Sequence, residues 1–387
     1  MRHALTLALA YLLFHRLTSG ALIICIALIV AVPVATRLIL NAAQQGLGDR
    51  ARQTPLLLGA RGSTLDLTLA ALYFDGAVPG DVTQGAADAV WGSGLGLAIP
   101  LHLGLTARQA PLVGTTLDYF DYRRLTLAQG RPLAQIGEAV LGASAARNLG
   151  LAPGDTVVTD ARTLFDLEGV YPLELTVAGV LAPSRSADDD AVFVDMNTVW
   201  IIAGIGHGHT EPVANENGLP VVASPAIRQF NRITPDTITS FHVHADPAAL
   251  PVSAVIVVPD DDRAAAILQG RYLAASDPLQ LIAPVAVIDR LLGTLLRIGR
   301  LLDLVVVIVG AATLIAVALA LTLATRLRAA EMATLFRLGA HRLTIARIIG
   351  AQIGVILMLG LALAATFLIP LAWFSSTIAD MMLSTGL

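Results

Sequence analysis

ALIICIALIVAVPVATRLIL, Ala21–Leu40, is an apolar run interrupted mainly by Pro33 and by Arg37 near its end. Twenty residues of α-helix rise about 30 Å, the thickness of the hydrocarbon layer of a bilayer. Two further stretches have the same character: Leu304–Thr325 and Ile348–Phe374 carry no charge, and Pro370 lies near the end of the second. All three are read as membrane spans. The first is longer than the roughly 7–15-residue core of a secretory signal, and no clean Ala-x-Ala site follows it, so it is expected to stay in the chain. Composition agrees, because 55% of the 387 residues are apolar and 14% charged, where a soluble domain carries about 25% charged residues.

Arginine bias orients the spans. All 25 basic residues are arginine. The link between spans two and three holds Arg326, Arg328, Arg337, Arg342 and Arg347 against one acid, Glu331, and the N-terminus holds Arg2 and Arg16 with no acid. Both are expected in the cytoplasm. Residues 41–300 hold 17 arginines against 26 acidic residues and belong outside. The expected order is an interfacial amphipathic segment at 1–17, spans at 18–40, 301–325 and 348–374, an outer domain at 41–300, a cytoplasmic segment at 326–347 and a short outer tail at 375–387.

The outer domain has an α+β pattern. Ala139–Leu141, Thr156–Thr159, Leu173–Leu181, Ala191–Asp195 and Val252–Val258 read as strands, and Ala143–Leu149 as a short helix ended by Gly150. Arg263–Ala274 and Pro284–Gly299 read as helices, the latter leading into span two, with Pro284 at a first helical position. Gly204–Gly218, rich in Gly, His, Asn and Glu, reads as a loop.

Candidate site residues are few. His207-Gly-His209 and His242-Val-His244 are His-x-His pairs, the second in an apparent strand, where alternate residues share a face. Imidazoles suit zinc, although such pairs also occur in ordinary loops and strands. Met332, Leu335 and Phe336 fall at i, i+3 and i+4, one face of a short helix flanked by Arg328 and Glu331 and ended by Gly339. Gly92–Gly96 reads as a loop, and the acidic runs Asp188–Asp190 and Asp260–Asp262 as solvated turns without an EF-hand pattern. Ser184 and Ser186 have no nearby histidine to form a triad. A chain without lysine has no standard P-loop, so it is expected to be no ATPase. A net charge of −4 with no basic, aromatic-interleaved patch gives no sign of a nucleic-acid partner, and none is expected.

Several blocks resemble the FtsX-like, MacB-type ABC permeases. They are EAVLGASAARNLGLAPGD (Glu138–Asp155), LTVAGVLAP (Leu175–Pro183), VFVD (Val192–Asp195) and Arg328–Gln352, which contains EMATLFRLGA (Glu331–Ala340). The last is similar to the family's cytoplasmic E-x-x-x-x-R-x-x-G-A segment, except that Phe336 fills the arginine slot and Arg337 follows. LLLGARGSTLDL (Leu56–Leu67) and VGTT (Val113–Thr116) resemble a narrower branch, some members of which sit beside periplasmic zinc-binding proteins. The resemblance implies an inner-membrane protein with a MacB-type periplasmic core and no cofactor of its own. It also implies a permease homodimer on a cytoplasmic ABC ATPase dimer that binds the ATP, and contact with a periplasmic adaptor or metal-binding protein. Arg328, Glu331, Met332, Leu335, Phe336, Arg337 and Gly339 would then form the coupling segment that meets the ATPase. Family members have four membrane helices. Thirteen residues follow Phe374 here, so three spans are expected.

Overall fold

The computed structural model describes the chain apart from residues 1–5, 7, 8, 11, 15, 161–171, 209–232, 234–237, 239, 240, 244, 275, 328–341 and 385–387. In chain order the elements are α1 (Arg16–Arg52), β1 (Leu56–Ala60), α2 (Thr64–Tyr73), β2 (Val82–Thr83), α3 (Gln84–Trp91), β3 (Gly96–Ala107), β4 (Ala110–Thr115), α4 (Leu117–Arg123) and β5 (Leu127–Gly130). There follow β6 (Glu138–Leu141), α5 (Ala143–Leu149), β7 (Thr156–Val158), β8 (Glu174–Leu181), a 3-10 turn (Ala187–Asp190), β9 (Val192–Asp195), α6 (Met196–Ile202), β10 (Gly206–Gly208) and β11 (Phe241–Val243). The chain continues through β12 (Pro251–Val252), β13 (Ala254–Pro259), α7 (Asp262–Arg271), β14 (Leu279–Ile282), α8 (Pro284–Leu327) and α9 (Arg342–Ser384).

Two units divide the chain: one comprises residues 1–46 and 291–383, the other residues 47–290 with 384–387. In the first, two helical segments among the described residues are long and apolar enough to cross a membrane, Arg16–Ile39 and Ile349–Phe374; Leu304–Ala316 is a shorter apolar segment of α8. Large apolar side chains face outward along them, among them Leu28, Val307, Met358 and Phe367. In water that surface would be costly, whereas in lipid it is the expected exterior. Ile26 on α1 is buried against Ile356 on α9, and a Cβ built on Gly360 would lie 2.7 Å from Ile26 Cγ2. The glycine lets the two helices approach closely, the use membrane helices make of small residues.

The second unit is an α+β domain built on a ten-stranded mixed sheet. Its order is β14-β1-β13-β3-β4-β9-β6-β8-β5, with β7 paired to β8. β4 runs parallel to β9 and β6 parallel to β8; the other pairings in this sheet are antiparallel. Leu57, Leu58, Ile99, Leu101, Leu141 and Phe193 are fully buried along it. Short polar residues start the helices: Ser63 accepts from Asp66 N at α2, Asp195 from Asn197 N and Thr198 N at α6, and Asp261 from Ala264 N at α7. α5 ends at Gly150, whose φ of +67° is the left-handed conformation glycine adopts freely.

Some expectations need correction. Val252–Val258 is not one strand: Ser253 interrupts it, its Oγ accepting from Leu103 N at 2.9 Å, and β12 pairs with β2 while β13 pairs with β3. Pro284–Gly299 is the start of the 44-residue helix α8 and not a separate element. Asp261 caps a helix, and Asp188 is buried, so neither acidic run is merely a solvated turn. β10 gives Gly206–Gly208 a place in a strand within the expected loop; 209–218 lie outside the described residues.

Candidate functional site

A buried cluster of charged and hydroxyl-bearing side chains forms where α1 ends. α1 does not stop where its apolar run stops; it continues through NAAQQGLGDRAR to Arg52, and its last turn belongs to the domain. Ala51 is fully buried there. Arg50, 7% exposed at its side chain, forms a fork-like pair with Asp188, Nη1 donating to Oδ2 at 2.6 Å and Nη2 to Oδ1 at 2.8 Å. Nη2 also donates to the Tyr119 hydroxyl at 2.9 Å, and that hydroxyl donates to Asp188 Oδ1 at 2.6 Å. Ser186 Oγ donates to Asp188 Oδ2 at 2.8 Å.

Local structure brings the partners in. Tyr119 sits on α4, directly after β4, and Asp188 on the 3-10 turn directly before β9; β4 and β9 are parallel neighbours in the middle of the sheet. Ser186 caps that turn. Phe74, held at φ +58° where aromatic residues rarely sit, places its ring under the Arg50 guanidinium at 5.5 Å and edge-on to Phe193 at 6.1 Å. Arg123 donates to Thr54 Oγ1 and lies over the rings of Tyr119 and Tyr122 at 5.8 and 5.1 Å. Thr54 Oγ1 in turn donates to Arg50 O, and the Tyr122 hydroxyl donates to Gln53 O.

The electrostatics follow from burial and pairing. Burial pushes the Asp188 carboxyl up, but Arg50 with the Tyr119 and Ser186 hydroxyls more than offsets this and holds it at about 2. Burial raises the Tyr119 phenol well above its ordinary value, so it remains a donor at neutral pH. Nothing here is arranged as nucleophile and base; the chemistry is that of a fixed, directional cross-link. A second ion pair, Arg131–Glu138, ties down the loop before β6. The Arg131 hydrogen bonds are the largest influence on Glu138 and set its carboxyl below the usual range.

Gly142 guards the cluster's turn. A Cβ there would lie 2.2 Å from Asp188 O and 2.4 Å from Asp189 O, both backbone atoms. Gly142→Val is therefore expected to displace the turn and lower stability by about 3 kcal/mol, the upper part of the range for overpacking. Thermal unfolding of the purified chain checks this, and an unchanged midpoint refutes it.

The residues expected from sequence fall differently. Arg328, Glu331, Met332, Leu335, Phe336, Arg337 and Gly339 lie outside the described residues, as do His209 and His244. His207 and His242 are direct Cα partners in the antiparallel β10–β11 ladder, which the sequence could not place together. Among the described residues, no group of three or more His, Cys, Asp or Glu is placed to hold a metal ion. Arg50, Tyr119 and Asp188 were not legible as a set: they are 69 and 138 positions apart, and none sits in a local motif.

An apolar helix that ends inside an α+β domain defines a membrane-anchored domain protein. The model of the MacB-like periplasmic core domain matches residues 17–214, just over half of the chain, and the chain belongs to this family, that of the FtsX/MacB-type ABC permeases. No curated protein matches it. Among solved structures, the periplasmic region of MacB from Actinobacillus actinomycetemcomitans is 14% identical, with a TM-score of 0.38 over 63% of this chain and 97% of that one. The extracellular domain of the noncanonic ABC-type transporter YknZ from Gram-positive bacteria is 15% identical, with a TM-score of 0.32 over 59% and 98%. A putative permease domain from Porphyromonas gingivalis is 14% identical, with a TM-score of 0.27 over 59% and 86%.

Proposed function

We propose that this chain is the membrane subunit of an ATP-driven machine that transmits movement to its outer domain and there moves or extracts a substrate. It spans the inner membrane three times, with its N-terminus and the 326–347 segment in the cytoplasm. Two copies pair on a dimer of ABC ATPases, and Met332, Leu335 and Phe336 present the apolar face that meets each ATPase. The observation that carries this reading is α1: the helix that supplies the apolar segment Arg16–Ile39 is the same helix whose end is locked into the domain core through Arg50. The chain, solubilised mildly from its native membrane, is expected to bring an ABC ATPase with it; a preparation that retains other complexes but carries no ATPase removes the energy source and the reading with it. A periplasmic adaptor or carrier in the same preparation supports transport, whereas a cell-wall hydrolase means that the movement regulates an enzyme.

A zinc-handling role is a second reading, favoured by the pairing of His207 with His242 across the β10–β11 ladder. Directly opposed residues in such a ladder have Cβ atoms about 5 Å apart, a spacing two imidazoles can bridge with one ion. His209 or His244 would supply a further ligand, with the metal received from a periplasmic binding protein. Zinc titration of the full chain by calorimetry is expected to show a saturable site that His207→Ala and His242→Ala each weaken at least tenfold; equal binding by both variants eliminates this site.

A further inference from the structure

We draw no further inference here: the strongest candidate, the surface patch at the start of β3 where α3 ends in the exposed Trp91 and the acidic run Asp260–Asp262 is tied to Leu95 by the Asp260 N–H, carries no proposal because nothing in the structure shows what covers it.

Discussion

Asp188→Ala is expected to be among the most damaging single substitutions in the outer domain. It leaves the Arg50 guanidinium buried without its counter-charge, a change that costs about 3–5 kcal/mol, and for a domain of this size the melting point should fall by on the order of 10 °C. Tyr119→Phe removes one hydrogen-bonding hydroxyl and leaves the ion pair, so it should cost about 1 kcal/mol. The pair also makes a distinct prediction in acid. Asp188 titrates at about 2 in the folded chain against an ordinary value of 3.8. A carboxyl depressed on folding stabilises above its unfolded pKa and loses that contribution as pH falls through the folded one. Stability should therefore decline between about pH 4 and pH 2, and the Arg50→Met/Tyr119→Phe/Asp188→Leu variant should lack that component. Thermal unfolding from pH 7 to pH 2 decides the matter: parallel acid limbs in the two proteins would show that Asp188 is not held ionised by Arg50.

What could be read from the sequence, and what could not, follows from how far each signal reaches along the chain. Apolar length marked the helical segments, but hydropathy tells where lipid ends and not where a helix ends, so the extension of α1 to Arg52 stayed hidden behind polar helix formers. α5 was legible because Gly150 supplies its own left-handed cap. The β3–β4 hairpin was not, since its turn is Arg108-Gln109, at φ +49° and +71°, in place of the Asn-Gly that usually signals such a turn. The support comes from Asp160, 52 and 51 residues downstream, whose carboxylate accepts from both backbone N–H groups at 3.1 and 2.8 Å. The Asp188 run failed for the same reason: three acids in a row look solvated until Arg50 is brought beside them. The histidine pairs were visible as spacing, and only the strand register put His207 opposite His242.

Met332→Glu/Leu335→Glu/Phe336→Glu is expected to abolish capture of the ATPase while leaving the outer domain intact. The i, i+3 and i+4 spacing of the three residues would put them on one face of a helix, and an apolar helix face laid into a groove binds mainly by burying its anchors. Full burial of a Leu, Met or Phe side chain is worth about 1.5–3 kcal/mol, so losing three anchors forfeits at least about 4.5 kcal/mol, more than a thousandfold in affinity. Three buried glutamates add a desolvation cost on top of that loss. Glu331→Gln on the flank should change capture little, because the pair it could make with Arg328 on an exposed helix face would contribute well under 1 kcal/mol. Co-purification at matched expression separates the outcomes. ATPase lost from the triple variant but retained by Glu331→Gln places the contact on the apolar face. Retention by both would move the contact elsewhere on the cytoplasmic side, while the thermal midpoint of the outer domain, unchanged in either variant, guards against a trivial loss of fold.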